Sequence, residues 1–204
     1  MEHSDIKIKL CGMRRACDIE CVNELMPEYI GFIFAKKSKR YVTFDEAKIL
    51  KTSLNKGITA VGVFVDEDID TVANAVNENI IDAIQLHGNE DEEYIHRLRR
   101  KTKCTIIKAF KIQSLSDIDE ANKSSADYVL LDSGGGTGEI FDWQFLQGMK
   151  RMYFLAGGLT PDNVRMAINT LTPFAVDASS SLEIDGCKDK EKVKAFVEAI
   201  RMEK

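Results

Sequence analysis

Residues 151–171, RMYFLAGGLTPDNVRMAINTL, hold one complete strand-to-helix unit. The apolar run at 151–156 is typical of a strand that is buried on both faces. Two glycines end the run, and Pro161 suits the first turn of a helix because its fixed φ is already helical. Apolar residues then recur at helical spacing on one face: Val164, Ala167, Ile168 and Leu171. The stretch therefore predicts a β-strand, a glycine turn and an amphipathic helix over 161–171.

The same unit recurs along the chain. Counted with 151–156, eight short apolar runs begin about 22–29 residues apart, the others being 6–10, 29–34, 58–65, 82–87, 105–110, 128–132 and 173–178. Amphipathic segments lie between them, most clearly at 68–80 and 189–202. This alternation predicts an α/β protein, a single-domain (β/α)8 TIM barrel over residues 1–204. An open doubly wound sheet is the rival architecture.

Composition restricts the class of protein. The chain is 44% apolar and carries a net charge of −5, which argues against a nucleic-acid-binding surface. Its apolar runs are shorter than the roughly 20 residues that a membrane-spanning helix needs. The first residues show no basic and apolar pattern of an export signal. We therefore expect a cytoplasmic protein that binds neither nucleic acid nor membrane.

The cysteines predict neither a disulfide nor a metal site. Structural disulfides are rare in a reducing compartment. Cys17 and Cys21 are four residues apart and would share a helical face, yet none of the three histidines has the spacing of a partner ligand. We interpret both cysteines as small apolar core residues and expect no metal.

The carboxyl ends of the strands in such a barrel surround one mouth, where ligands bind. Gly157 and Gly158 leave backbone N–H groups open to an anion, and Ala178, Ser179 and Ser180 add amides and hydroxyls after the next strand. Loops after strands seven and eight often form a phosphate site in this fold. We expect a small phosphorylated ligand here, with an ordinary tight turn as the alternative.

Four side chains at other strand ends are candidates for chemistry. Arg40, the last residue of the basic run KKSKR, suits a bidentate contact with a carboxylate. Cys11 is a candidate base if the site lowers its pKa, and Asp132 a candidate acid if burial raises its pKa. His87 either contacts a ligand or is held by neighbouring backbone groups. An acid and a base at one mouth suit a proton-shuttling isomerisation, although a core cysteine and a capping aspartate would look the same.

The motifs at these strand ends form an ordered set. They are KLCGMRR (9–15), GFIF…KSKRYV (31–42), VGVFV (61–65), QLHG (85–88), LLDSGGGTGEIFDW (130–143), LAGGLTPDNV (155–164) and VDASSSLE (176–183). In this order, and along nearly the whole chain, they resemble the phosphoribosylanthranilate isomerases. That family consists of (β/α)8 enzymes of tryptophan biosynthesis.

The resemblance implies an Amadori rearrangement of a small phosphorylated substrate without metal or organic cofactor, by a monomer or a homodimer. It implies that Asp132 is the general acid, that Cys11 is the general base and that Arg40 holds the anthranilate carboxylate. It also assigns the phosphate to Gly158 and the amides around Ala178–Ser180. His87 and Asp177 match positions that line the substrate pocket.

Three residues depart from the family pattern. Ser181 and Ala175 stand where glycines are common, beside the expected phosphate loop. Arg14 takes the place of a frequent threonine close to Cys11, and a positive charge there would favour a thiolate. The glycine run at 134–138 is interpreted as a lid over the bound substrate, and Asp142 as a helix N-cap.

Three alternatives have different chemistry. Aminoaldose-phosphate isomerases of histidine biosynthesis share the fold but place aspartates in strands one and five, where this chain has Cys11 and Lys108. A Schiff-base aldolase would use Lys108 as its nucleophile. A phosphate-ligand sensor would keep the barrel without catalysis.

Overall fold

The computed structural model describes residues 6–132, 146 and 148–201. Eight parallel strands form a closed barrel in which each strand pairs with its neighbours in chain order. They are β1 (Lys7–Cys11), β2 (Tyr29–Ile33), β3 (Thr59–Phe64), β4 (Ala83–Leu86), β5 (Thr105–Lys111), β6 (Tyr128–Asp132), β7 (Tyr153–Ala156) and β8 (Ala175–Ala178). The ladder between β1 and β8 closes the barrel. The (β/α)8 prediction is confirmed, and the open doubly wound sheet is wrong.

Seven α-helices among the described residues surround the strands. They are α1 (Ala16–Leu25), α2 (Phe44–Thr52), α3 (Ile69–Asn77), α4 (Glu92–Lys101), α5 (Leu115–Lys123), α6 (Val164–Leu171) and α7 (Lys190–Arg201). The helix after β7 begins at Val164, and the predicted start at Pro161 is wrong. A turn precedes this helix, because Asn163 Oδ1 accepts a hydrogen bond from the Thr160 N–H at 2.8 Å. Residues 161–163 belong to that turn.

Aromatic rings fill the barrel interior near the amino ends of the strands. The Phe154 ring lies 5.3 Å from Tyr29, 5.7 Å from Tyr128 and 5.6 Å from Phe174, edge to face in each case. Such contacts add roughly 0.5–1.5 kcal/mol each to the energy of burial. These rings pack together at the end of the barrel opposite the strand carboxyl ends.

The outer face of the sheet packs against the helices. Along β1, Ile8 and Leu10 belong to this outer core, whereas Lys9 and Cys11 alternate with them and face the interior. In α3, the buried residues include Ile69, Val72 and Ala73. The period of two in the strands and of 3.6 in the helices therefore brings both apolar faces together.

A short hairpin follows β8. A 3-10 turn at Ser180–Leu182 leads into β9 (Glu183–Ile184), which pairs antiparallel with β10 (Cys187–Lys188). Asp185 and Gly186 make the connection with positive φ values of 51° and 75°. The hairpin brings Glu183 and Lys188 to the rim of the barrel mouth. The hairpin was not predicted, because strands of two residues show no periodic pattern.

Two predicted features lie outside the described residues, namely the glycine lid at 134–138 and the Asp142 cap. Within the residues that are described, no helix is both long and apolar enough to cross a membrane.

Candidate active site

A cavity of about 280 Å³ opens at the carboxyl ends of the strands. The described residues that line it are Cys11, Ile33, Ala35, Ser38, Val63, Val65, Gln85, His87, Asp132, Ala156, Gly157, Gly158, Leu159, Asp177, Ala178, Ser179, Ser180 and Ser181. All the predicted site residues are among them except Arg40. The barrel therefore brings the candidate acid, the candidate base and both glycine and serine loops to one cavity.

Cys11 fits against a glycine of the next strand. It lies opposite Gly31, and a Cβ on Gly31 would lie 2.6 Å from the Cys11 Sγ. Burial raises the pKa of the thiol, and the opposing effects of the Lys9 and Lys188 ammonium groups do not compensate for it. The lowered pKa that the sequence analysis set as a condition is therefore not found. Burial is therefore the dominant effect of the described surroundings on the pKa of this thiol.

A buried ion pair lies below the thiol. Lys9 Nζ lies 2.9 Å from Asp177 Oδ1, and the two side chains are 0% and 9% exposed. Burial disfavours the charge on Lys9, but the Asp177 carboxylate and Cys11 together outweigh this and raise the pKa of Lys9. Lys9 was not among the predicted site residues. The signal was available, because a residue two positions before Cys11 on a strand faces the same side.

His87 lies between a buried amide and the candidate acid. Gln85 Nε2 lies 2.8 Å from His87 Nδ1, and His87 Nε2 lies 3.6 Å from Asp132 Oδ2. If the Gln85 amide donates to Nδ1, neutral His87 carries its proton on Nε2, facing Asp132. Gln85 Oε1 is buried and has no hydrogen-bond partner within the described part of the chain. His87 thus lines the cavity and contacts the side chains of Gln85 and Asp132, whereas its contact with a ligand stays a prediction.

The predicted phosphate loops meet at the cavity wall. Gly157 and Gly158 have φ values of 89° and 64°, in the left-handed region that favours glycine. The Ser181 hydroxyl donates a hydrogen bond of 2.5 Å to the Leu159 carbonyl, which joins the loop after β8 to the loop after β7. The Ser179 hydroxyl donates to the Cys11 carbonyl at 3.0 Å. Both loops are thus fixed relative to each other and to β1.

Arg40 lies beside the cavity. Its side chain crosses Gly12, where an added Cβ would lie 2.6 Å from Arg40 Cδ. Its Nε and Nη2 donate to the two oxygens of Glu183 at 2.5 and 2.7 Å. Lys188 Nζ also donates to Glu183, at 2.5 Å. Neither Glu183 nor Lys188 was predicted as a site residue, because their positions depend on the hairpin of β9 and β10.

Comparisons with known proteins identify the family. The family model of N-(5'-phosphoribosyl)anthranilate (PRA) isomerase matches residues 8–199. The chain belongs to the phosphoribosylanthranilate isomerase family. A relative of that name from Clostridium kluyveri is 43% identical, with 96% of this chain and 98% of the relative covered. Another, from Endomicrobium trichonymphae, is 40% identical with the same coverage.

Solved structures of phosphoribosylanthranilate isomerases have the same fold. The enzyme from Thermus thermophilus matches with a TM-score of 0.86 at 28% identity, covering 96% of this chain and 98% of that one. A phosphoribosylanthranilate isomerase in complex with reduced 1-(o-carboxyphenylamino)-1-deoxyribulose 5-phosphate matches with a TM-score of 0.84 at 31% identity and the same coverage. The family consists of isomerases of tryptophan biosynthesis, and the chain is an enzyme of this family.

Two departures from the usual phosphoribosylanthranilate isomerase pattern fit the backbone without glycine. Ser181 is not among the described non-glycine residues with positive φ, and it supplies the bond between the two loops. Ala175 is fully buried among the residues that fill the barrel interior. Neither position therefore requires the conformational freedom of glycine in this member of the family.

Other expectations need correction. Arg14 donates to the Gly186 carbonyl and to Cys187 Sγ, at 3.1 and 3.2 Å, so its guanidinium is held on the hairpin. The cations that lower the pKa of Cys11 are instead Lys9 and Lys188. Cys21 is a core residue as expected, but Cys17 is exposed.

Lys108 does not fit the role of a cavity nucleophile. It donates to the Gly88 carbonyl at 2.7 Å and to Glu90 at 3.0 Å, and it does not line the mouth cavity. Its neighbours on β5, Ile107 and Ala109, are the residues that face the interior. This arrangement argues against the Schiff-base aldolase. Across the described residues, no three His, Cys, Asp or Glu side chains form a group that could hold a metal ion.

Proposed function

We propose that the enzyme converts N-(5-phosphoribosyl)anthranilate into 1-(2-carboxyphenylamino)-1-deoxyribulose 5-phosphate by an Amadori rearrangement. The observation that carries this proposal is the meeting of Cys11 and Asp132 at one cavity that is also lined by the two phosphate-type loops. Family membership supports the same reaction. No metal or organic cofactor enters the proposed chemistry.

In the proposed reaction, Asp132 acts first as a general acid. It donates a proton to the ring oxygen of the ribose, the C1′–O bond breaks, and the anilino nitrogen forms a Schiff base with C1′. Cys11, as the thiolate, then removes the proton from C2′. The electron pair moves to the iminium group and gives an enolamine, which tautomerises to the ketone. In this last step C1′ receives the proton from the Cys11 thiol and the C2′ hydroxyl gives its proton to the Asp132 carboxylate, so that both side chains return to their starting states.

Two cations support the thiolate that Cys11 requires as a base. The ammonium groups of Lys9 and Lys188 both lower the pKa of this thiol and offset part of the cost of its burial. Closing a site over substrate strengthens such interactions because water is excluded. The proposed lid at 134–138 would have this effect.

Substrate binding is proposed to use both ends of the cavity. Gly157, Gly158 and residues 178–180 would hold the phosphate through backbone amides and hydroxyls. Arg40 would hold the anthranilate carboxylate, and His87 and Asp177 would line the space between.

We also propose a cytoplasmic enzyme, as a monomer or homodimer. The relative from Thermotoga maritima is described as dimeric.

The direct test is turnover by the purified protein. Freshly generated phosphoribosylanthranilate should be consumed, seen as loss of its anthranilate-type fluorescence, without added metal and in the presence of a chelator. Asp132→Asn and Cys11→Ser should each lower kcat by roughly 10²–10⁴, the usual contribution of general acid or base catalysis. Cys17→Ser, which changes an exposed cysteine in the same way, is the matched control and should leave kcat unchanged.

The outcomes separate the alternatives. Unchanged turnover in well-folded Asp132→Asn or Cys11→Ser protein would contradict the assigned roles. A wild-type protein that binds a phosphorylated ligand without turnover would be a sensor. Turnover of an aminoaldose phosphate of histidine biosynthesis instead of phosphoribosylanthranilate would favour the sister isomerase.

A further inference from the structure

A three-membered ion cluster joins the hairpin to the mouth of the barrel. Glu183 of β9 receives Arg40 Nε and Nη2 on its two oxygens, at 2.5 and 2.7 Å. It also receives Lys188 Nζ of β10 at 2.5 Å. The side chains of Glu183 and Lys188 are 6% and 3% exposed, and that of Arg40 is 23% exposed. Two cations therefore share the Glu183 carboxylate, and the cluster is largely buried.

The charges in this cluster do not balance. Two cations surround one carboxylate, which leaves one positive charge in excess. Arg40 is the member that is most exposed, and its side chain crosses Gly12 directly beside Cys11. A second carboxylate at the rim of the cavity would complete the cluster, because paired ions in a place of low exposure are stabilised by opposite charge.

The geometry decides which edge of Arg40 remains for such a ligand. A guanidinium presents two edges suited to bidentate contact with a carboxylate, and Glu183 occupies the one that carries Nε and Nη2. Within the described residues, Arg40 Nη1 has no hydrogen-bond partner in the structure. The Nη1 edge is thus left for an anion, in a plane that Glu183 fixes.

Hydrogen bonds connect the same cluster to the loop after β8 and, through that loop, to Cys11 at the end of β1. Lys188 Nζ donates to the Ser179 carbonyl at 2.9 Å, and the Ser179 hydroxyl donates to the Cys11 carbonyl at 3.0 Å. Through these contacts, Glu183 is tied to Arg40 on one side and to the loop after β8 on the other.

We propose that Glu183 is a positioning residue that holds the guanidinium plane of Arg40 so that its Nη1 edge receives the carboxylate of the substrate. This proposal rests on the proposed function, and it adds a residue with no direct contact to the reacting atoms. The substrate carboxylate joins the cluster and does not displace Glu183, because the cluster carries one excess positive charge and Glu183 is also held by Lys188.

The experiment compares Glu183→Gln with Glu24→Gln. Gln keeps the shape but removes the charge, and Glu24 forms an exposed ion pair with Lys190, so its variant is a control for the same chemical change elsewhere. For Glu183→Gln we expect KM for phosphoribosylanthranilate to increase by about tenfold or more, the effect of a charge-assisted hydrogen bond, with kcat changed less than about twofold. Anthranilate should inhibit this variant more weakly by a similar factor. Inhibition by inorganic phosphate, and all constants of Glu24→Gln, should stay unchanged.

A cycle of variants separates positioning from a general effect on the fold. In an Arg40→Met background, Glu183→Gln should raise KM by less than about twofold further, because there is no guanidinium left to orient. Glu183→Asp keeps the charge and should restore part of the affinity for anthranilate. Thermal unfolding of each variant identifies any that fails to fold. If Glu183→Gln is one of these, the affinity of Glu183→Asp for anthranilate decides the question alone.

Three results would overturn the proposal. They are an unchanged KM in Glu183→Gln, an equal loss of anthranilate and inorganic phosphate binding, and tighter anthranilate binding, which would mean that Glu183 competes with the substrate. A failure of the proposed function looks different, because the wild-type protein itself would then show no turnover.

Discussion

At the scale of single residues, the fit between Cys11 and Gly31 carries the clearest consequence. The Sγ occupies space that any larger residue at position 31 would fill, since an added Cβ would lie 2.6 Å from it. Gly62 on β3 is equally crowded, but by Ile81 Cδ1 at 2.5 Å in the outer core. The two glycines therefore permit a comparison between steric strain at the thiol and steric strain away from it.

We predict that Gly31→Ala lowers kcat by roughly 10²-fold, because moving a reacting group by about 1 Å has an effect of this order. Gly62→Ala should cost about 1–3 kcal/mol of stability through overpacking and leave kcat within about twofold. Steady-state kinetics and urea unfolding of both variants provide the measurement. Equal kcat values for Gly31→Ala and wild type would show that the position of the thiol does not limit the reaction.

Single residues also mark the limit of what the sequence could predict. Strand alternation places Cys11, Asp132 and Asp177 at one mouth, and it could have placed Lys9 there as well. The contacts of Arg14 and Arg40 could not be predicted, because both guanidinium groups bind the hairpin between β8 and α7. Long side chains reach partners far away in sequence, and local pattern contains no information about those partners.

At the scale of elements, buried strands were predictable and short connections were not. The runs at 58–65 and 128–132 are apolar enough to identify β3 and β6 near their observed bounds. The start of α6 and the hairpin of β9 and β10 depend instead on single turns. The turn before α6 is held by a hydrogen bond to a single side chain, that of Asn163. A periodic pattern of apolar residues does not predict a hydrogen bond of this kind.

The hairpin leads to a prediction about stability and pH. Burial acts to raise the pKa of Glu183, but the hydrogen bonds and charges of Arg40 and Lys188 outweigh it and lower the pKa from 4.5 to about 2. Because the folded-state pKa is lowered, the stabilisation is complete above pH 4.5 and is lost as the pH falls towards 2.

Wild type and Glu183→Gln should therefore differ in unfolding free energy by on the order of 2 kcal/mol at pH 6, and this difference should shrink as the pH falls below 4.5. Urea unfolding at several pH values between these limits tests this. Glu24→Gln, which removes an exposed charge, should show little difference at any pH. A difference between wild type and Glu183→Gln that does not change with pH would argue against the ionised cluster.

At the scale of the whole molecule, closure of the barrel depends on contacts between the two ends of the chain. The backbones of β1 and β8 pair from Lys7 with Ala175 to Leu10 with Ala178. Outside the barrel, Arg201 Nη2 of α7 donates to the Met26 carbonyl after α1 at 2.6 Å. Bringing these two ends of the chain together costs entropy because it closes a long loop. The ladder between β1 and β8 is the closing seam of the barrel.

The Lys9–Asp177 ion pair joins β1 to β8 at this seam, inside the barrel. Variants of this pair can separate an effect on stability from an effect on activity. Lys9→Met should destabilise the protein by roughly 3–5 kcal/mol, because the Asp177 carboxylate is left buried and unpaired. The double variant Lys9→Met/Asp177→Leu should regain most of that stability, since apolar side chains of similar volume replace a buried pair well. Its kcat should nevertheless stay low, because Cys11 has lost the cation that lowers its pKa most and the cavity has lost Asp177. Urea unfolding and turnover measured on the same preparations decide this.

A double variant with wild-type kcat would mean that the pair serves closure of the barrel alone. A double variant as unstable as Lys9→Met would mean that the seam requires the charges themselves.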